Sequence, residues 1–250
     1  MDQTLGLSIL GALLALDQAV VGQFMLSQPL IVSSLFGWLL GDLAMGLAAG
    51  AVLQLLWSNV LPVGAYIPSD HSVSAGIATI LAVRLTHYGW TGPTALVWAL
   101  AISIPAGWLS GRLDILVRHG NSRLSRQAED WLQRYGSLGL AAVNLSGLPT
   151  MFTRNFAVYW LWLGVLTGWL GGFQPPASLL RGLDVVALFL PALPLAVAWD
   201  AVGKNGQPAM LGLTAVVIGL GLWIWPHGGL LLAALAMAVS LFLASRKGYA

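Results

Sequence analysis

Residues 22–74 read GQFMLSQPLIVSSLFGWLLGDLAMGLAAGAVLQLLWSNVLPVGAYIPSDHSVS, an apolar stretch that is broken by prolines and carries several polar side chains. The prolines are Pro29, Pro62 and Pro68, and the polar residues include Gln23, Ser27, Gln28, Asp42, Gln54, Asn59 and Asp70. Polar groups and interrupted helices are costly in hydrocarbon, and they are tolerated where protein or water surrounds them. The pattern therefore predicts that this stretch lines a binding site.

The composition of the whole chain indicates a membrane protein. Of its 250 residues, 58% are hydrophobic and only 8% are charged, and the mean hydropathy is +0.81. A soluble domain of this size needs a more polar surface than this composition supplies. Because one crossing takes about 20 helical residues, we expect an all-α, polytopic integral membrane protein with about six to eight helical segments. The absence of cysteine excludes disulfides and cysteine–metal sites.

A charged segment follows further along the chain. Residues 112–136 hold five arginines, at positions 112, 118, 123, 126 and 134, among leucines and a tryptophan at helical spacing. We expect this segment, which includes Asp114, to be a charged cytoplasmic loop or an amphipathic helix, because basic loops stay on the cytoplasmic side. Counting crossings from this anchor also places the C-terminus in the cytoplasm. All 250 residues are then predicted to form a single membrane domain.

The N-terminal third is predicted to contain broken or re-entrant helices. Residues 4–25 are long enough for one retained crossing, although Asp17 lies within them. Pro29 disfavours helix at the residue before it, so the chain should break there. The proline–glycine–proline pattern in residues 58–70 predicts a surface loop or the tip of a re-entrant hairpin. Close approach of helix backbones is expected at Gly37, Gly41, Gly46 and Gly50.

The polar side chains have structural interpretations beside the functional ones. Asp70 either caps the helix predicted from Ser72 or accepts hydrogen bonds from a ligand, and the two roles are compatible. Gln54 either lines the site or makes an interhelical hydrogen bond. Asp42 follows a glycine at a helix end and is expected to be a cap or a contact for another subunit. Asp17 is an isolated carboxylate in a predicted apolar helix. Because an ionisable group in a membrane segment is costly to keep, we treat it as a candidate functional residue.

Two consecutive runs carry a family resemblance. They are QFMLSQPLIVSSLFGWLLGD at 23–42 and MGLAAGAVLQLLWSNVLPVGAYIPSDHSVSAGIATILAV at 45–83. Together they resemble the N-terminal signature of membrane subunit IIC of the mannose/fructose/sorbose family of the bacterial phosphoenolpyruvate-dependent sugar phosphotransferase system. The matching motifs are Pro29-Leu30, Leu40-Gly41-Asp42, the glycine-rich helix to Gln54, Val63-Gly64-Ala65 and Pro68-Ser69-Asp70.

The resemblance implies a sugar permease subunit in the bacterial inner membrane. Such a subunit pairs with membrane subunit IID and works with soluble subunits IIA and IIB in a trimeric assembly that takes up a hexose or related sugar. The phosphohistidines belong to the soluble subunits, so no catalytic residue, phosphorylated residue, metal ligand or cofactor is expected on this chain, and no nucleic acid is expected as a partner. The substrate-binding candidates are Gln23, Ser27, Gln28, Gln54 and Asp70, and the structural or secondary candidates are Asp17, Asp42 and Asn59.

Two positions depart from the family pattern. Gln28 stands where the family usually has arginine, and Gln54 stands where it usually has glutamate. Each change removes one charge, and the two charges have opposite signs, so a lost ion pair is one interpretation. An amide still donates to and accepts from sugar hydroxyls, so these positions remain compatible with sugar binding.

Two other functions fit the same residues. One is an ion-coupled secondary transporter that uses Asp17 or Asp70 as a relay. The other is a non-transporting regulatory or assembly subunit, which the loss of charge at Gln28 and Gln54 would permit. An intramembrane aspartyl protease is disfavoured, because Asp42 lacks the glycine-x-glycine-aspartate pattern and no second matching motif occurs.

Overall fold

The computed structural model describes residues 2–18, 22–57, 69–170, 173, 175–194 and 197. Within these ranges the regular structure is helical throughout, which confirms the all-α prediction. The helices are α1 (Asp2–Leu16), α2 (Pro29–Leu39), α3 (Leu43–Leu56), α4 (His71–His87), α5 (Gly92–Leu170) and α6 (Ala177–Phe189). Asn59, the prolines at 62 and 68, and the crossings predicted beyond residue 197 lie outside the described residues.

The chain divides into two compact units. The first comprises residues 1–54 and 61–185, and the second comprises residues 55–60 and 186–250. The described part of the second unit is limited to the end of α3, the end of α6 and a few residues after it. All of the side-chain contacts discussed below lie within the first unit.

Helix α1 ends earlier than the sequence predicts. A single crossing was expected over residues 4–25, but the helix stops at Leu16. The next residue, Asp17, directs its carboxylate to backbone amides further along the chain, at Phe24 and Ser27. A side chain that bonds to the following loop in this way competes with continuation of the helix.

Helices α2 and α3 form a tight hairpin. With a rise of about 1.5 Å per residue, each is shorter than the hydrocarbon core of about 30 Å, so the prediction of broken helices in this region is confirmed. A Cβ atom on Gly37 would lie 2.7 Å from the Cα atom of Gly46, which shows why glycine is needed where the backbones meet. Gly41 differs from the prediction: it makes no close approach and instead forms the turn, with φ of +82°.

Helix α4 is the centre of the first unit. Its residues from Ser72 to Val83 are buried on every side, and it packs against α5, α2 and α1. The Ser33 hydroxyl of α2 donates to the Ala75 carbonyl oxygen of α4 at 3.2 Å. This arrangement places the N-terminal end of α4, at Asp70, inside the protein.

Helix α5 is a helical hairpin rather than one rod. Gly136 has non-helical backbone angles of φ 61° and ψ −145°, and it divides α5 into a first arm, residues 92–135, and a second arm, residues 137–170. The arms run antiparallel, because Trp98 stacks on Trp169 and Asp114 pairs with Arg154. The segment 112–136, expected as a charged loop or amphipathic helix, is therefore helical up to the turn.

The first arm contains the one membrane-length span found among the described residues. This span, Gly92–Gly120, has 29 residues, and an 18-residue window within it has a mean hydropathy of 1.4. Near its start, the hydroxyl groups of Thr91 and Thr94 donate to the carboxylate of Asp184 on α6. These bonds attach α6 to the first arm.

Candidate functional site

The loop before α2 has a strained and well-anchored backbone. Gln23 and Met25 have positive φ angles of 53° and 67°, a left-handed conformation that non-glycine residues rarely adopt and that often marks functional segments. Asp17 holds this loop: its Oδ1 accepts from the Phe24 amide at 2.7 Å and its Oδ2 accepts from the Ser27 amide at 3.2 Å. Asp17 is buried, and its observed role is to fix the loop shape.

The loop leads into a pair of amide side chains. Gln28, at the residue before Pro29, accepts through Oε1 from the Nε2 of Gln54 at 2.9 Å. The Oε1 of Gln54 in turn accepts from the Leu30 amide at 3.4 Å. The two positions at which the sequence departs from the family pattern are thus direct neighbours that join α2 to α3. Both side chains are half-buried, so each keeps hydrogen-bonding capacity for a ligand.

The other candidates near this pair differ in accessibility. Ser27 is buried and Gln23 is exposed. Asp42 caps α3, because its Oδ1 accepts from the Met45 amide at 2.9 Å, which is the structural role that the sequence suggested.

Asp70 lies in a second cluster. Its Oδ1 accepts from the Val73 amide at 3.1 Å, so the predicted N-cap of α4 is confirmed. Its Oδ2 accepts from the Ser110 hydroxyl at 2.9 Å, and its own amide donates to the Gly107 carbonyl oxygen at 2.9 Å. Asp70 therefore fastens the start of α4 to the first arm of α5.

An arginine from the second arm completes this cluster. Arg154 donates through Nη2 to Asp70 Oδ2 at 3.1 Å and through Nη1 to Asp114 Oδ1 at 2.8 Å. Its Nε donates to Asn155 Oδ1 at 2.9 Å. A planar guanidinium can bind several acceptors at once, because its N–H donors point in fixed, different directions. Asp114 was assigned to a charged surface segment, but the structure pairs it with the partner of Asp70.

Tyr159 packs beside this cluster and closes it on one side. Its hydroxyl donates to the Ser72 carbonyl oxygen at 3.0 Å, and its ring is fully buried. The ring fits between α1 and α4 because Gly11 and Gly76 leave room: a Cβ at either position would lie under 3 Å from ring atoms.

The structure thus groups the candidates into two clusters. We call the first the amide cluster, formed by Gln28 and Gln54, and the second the carboxylate cluster, formed by Asp70, Ser110, Asp114, Arg154 and Asn155. Within the described residues, α2 connects them, since it carries Gln28 and also bonds to α4 through Ser33. Asn59 lies outside the described residues, so it is assigned to neither cluster.

Sequence reasoning missed Arg154. The signal was present, because a lone arginine in the apolar run 138–170 is unusual, and ionisable groups at membrane depth are paired and functional by default. Its partners were not deducible, since Asp70 lies 84 residues away in sequence.

The two clusters offer different hydrogen-bonding groups. Amides both donate and accept, and carboxylates accept strongly. The amide cluster is half-buried, whereas Asp70 and Arg154 of the carboxylate cluster are 3% and 10% exposed, so the amides are the more accessible groups.

Comparisons with known proteins give a family match and a fold match for this chain. Residues 2–242 match the family described as the PTS system sorbose-specific IIC component. The PTS system mannose-specific EIIC components of Escherichia coli and Shigella flexneri are 27% identical over 100 residues, which cover 40% of this chain. The match spans 35% of the length of those relatives. A solved structure titled "Structure of membrane protein" aligns with a TM-score of 0.68 at 18% identity, covering 98% of this chain and 96% of the other, which shows a shared fold.

Proposed function

The chain belongs to the family of the sorbose-specific IIC component of the phosphotransferase system, and from this premise we propose that it binds sugar and moves it across the membrane while separate soluble subunits phosphorylate it. Membership makes the chain an integral membrane component of a sugar phosphotransferase system. The roles of particular residues in sugar binding are our proposal.

The amide cluster carries the proposal. Gln28, at the break just before α2, meets Gln54, near the end of α3, at 2.9 Å, and both helices are too short to cross the membrane. Helix breaks at membrane depth are where transporters place substrates, because the free backbone groups there need partners. A sugar hydroxyl can insert into an amide pair and accept from one side chain while donating to the other.

Neighbouring candidates complete the proposed site. Gln23 and Ser27 lie on the strained loop that Asp17 anchors, so they are presented in a fixed conformation. Asp70 is proposed as a further hydroxyl acceptor, and its place at the N-terminus of α4 keeps its carboxylate at a defined position.

The partners and the orientation in the membrane are further parts of the proposal. We propose that subunit IID completes the sugar site, that soluble IIA and IIB subunits deliver phosphate, and that the assembly is trimeric. The arginine-rich segment 112–136 and the C-terminus are proposed to face the cytoplasm, where the soluble subunits act.

The ion-coupled alternative gains no support from the carboxylates. Asp17 bonds to two loop amides, and Asp70 bonds to Val73, Ser110 and Arg154. Asp17 therefore holds the loop, and Asp70 already has a cationic partner in Arg154, which disfavours a transported cation at its carboxylate.

Uptake measurements test this function. Cells carrying the chain with its IID partner are given radiolabelled mannose, fructose or sorbose, with and without the soluble phosphotransfer proteins. The proposal predicts accumulation of phosphorylated sugar only when those proteins are present. Accumulation of free sugar supports ion coupling instead, and assembly without any uptake supports a regulatory subunit.

A further inference from the structure

The carboxylate cluster forms part of a continuous line of charges. Asp70, Arg154, Asp114 and Arg118 alternate in sign, with contacts of 3.1, 2.8 and 2.7 Å. Their side chains are 3%, 10%, 13% and 55% exposed in that order. The line therefore runs from the buried start of α4 to the exposed face of the first arm.

Most of the hydrogen-bond acceptor positions of Asp70 are occupied. An ionised carboxylate offers about four acceptor positions. The Val73 amide, the Ser110 hydroxyl and Arg154 Nη2 each donate to one of its oxygens. A sugar hydroxyl that donates to Oδ2 therefore competes with Arg154 and Ser110, because the Val73 bond to Oδ1 is part of the helix cap.

Arg154 has a second anion that makes such competition tolerable. Releasing a buried guanidinium from its only carboxylate leaves an uncompensated charge, which is strongly unfavourable. Here Asp114 accepts from Nη1 at 2.8 Å, a shorter contact than the one with Asp70. Asp114 would therefore keep the positive charge of Arg154 paired if Asp70 bound another donor in its place.

We propose that Arg154 is a positioning residue shared between Asp70 and Asp114, and that Asp114 is the counter-ion that allows Asp70 to exchange Arg154 for a sugar hydroxyl. This inference rests on the proposed function, and it assigns a role in sugar affinity to two residues outside the stretch 22–74. Asp114 acts through Arg154 and need not touch the sugar.

The decisive variant is Asp114→Asn, measured as uptake kinetics in the full complex with its soluble subunits. Without the second anion, Arg154 holds Asp70 more firmly, so KM for the transported sugar should rise roughly tenfold, the factor expected for about one charge-assisted hydrogen bond. The maximal rate per folded complex should stay near that of the wild type. Asp114→Glu restores the counter-ion and should return KM towards the wild-type value.

Asp184→Asn is the matched control. Asp184 is also a carboxylate that joins two elements, through Thr91 and Thr94, but it lies outside the carboxylate cluster. It should leave KM unchanged. An unchanged KM in Asp114→Asn, or an equal rise in Asp184→Asn, overturns the inference.

A binding measurement covers the case in which Asp114→Asn transports too slowly for kinetics. Equilibrium binding of radiolabelled mannose, fructose and sorbose to the purified complex should show the same loss of affinity in Asp114→Asn and recovery in Asp114→Glu. If the wild type binds a sugar and the variants bind it equally well, the inference alone fails. If the wild type binds none of these sugars, the proposed function fails and this inference fails with it.

Discussion

Arg154 of the second arm and Asp70 at the start of α4 form a buried ion pair with a contact of 3.1 Å. The same guanidinium binds Asp114 of the first arm, so one side chain connects three segments of the chain. In a chain with few charges, this one guanidinium holds the start of α4 against both arms of α5.

Removing the guanidinium should destabilise the protein. Arg154→Gln leaves the buried Asp70 without its cation and Asp114 with Arg118 alone, and breaking a buried pair in this way costs about 3–5 kcal/mol. Thermal unfolding of the purified protein in detergent measures the loss. Arg181→Gln is the control, because Arg181 is exposed and bonds to a carbonyl oxygen in its own helix; equal losses in both variants would contradict the buried pairing.

The Asp70 carboxylate should matter for sugar binding beyond its role as a cap. Asp70→Asn keeps a good N-cap residue but replaces the carboxylate acceptor with a neutral amide, so affinity for the transported sugar should fall about tenfold. Asp42→Asn is the matched control, since Asp42 caps α3 in the same manner. Similar affinity in the two variants would remove Asp70 from the site. Asp114, in the charged segment 112–136, is unsuitable as a control because Arg154 binds it.

The amide pair should respond to charge in a coupled way. Gln28→Arg and Gln54→Glu each place one charge at a half-buried contact and should each lower stability by about 1–3 kcal/mol. The double variant allows an ion pair at the same contact and should recover most of that loss, giving a coupling energy above about 0.5 kcal/mol. A double-mutant cycle of thermal unfolding measures this coupling. Additive effects would show that the two side chains do not meet.

The hairpin of α2 and α3 should not tolerate a methyl group at its crossing. A Cβ at Gly37 would lie 2.7 Å from the Cα atom of Gly46, so Gly37→Ala should cost about 1–3 kcal/mol through overpacking. Gly168→Ala is the control, because a Cβ there meets nothing within 4 Å. The control should be neutral or stabilising by up to about 1 kcal/mol, as alanine favours helix. Equal responses in thermal unfolding would contradict the tight crossing.

Local features of the fold were predictable, and distant pairings were not. The cap at Asp70, the break before Pro29 and the close packing of glycines follow from rules that act over a few residues, and the structure has all three. The turn at Gly136 was harder to predict from the sequence, because glycines are frequent in this chain and most of those that the structure describes do not form turns.

The candidate site was predicted in part. Gln28 and Gln54 were chosen individually, and their departures from the family pattern suggested a lost pair, yet only the structure shows their 2.9 Å contact. Arg154 was visible as a charge in an apolar run, but its partners depend on how α4 meets both arms of α5. Tertiary contacts of this kind leave no periodic signal in the sequence.

Sugar binding by the wild type and by Gln54→Leu tests the central claim most directly. The purified chain, together with the proposed IID subunit in lipid nanodiscs, is titrated with radiolabelled mannose, fructose and sorbose, and Gln133→Leu on the exposed face of the first arm serves as the control. The account predicts saturable binding of at least one sugar by the wild type and the control, and affinity weaker by about tenfold or more in Gln54→Leu, since a buried polar contact is lost. Equal affinity in all three proteins would contradict a site built on the amide cluster.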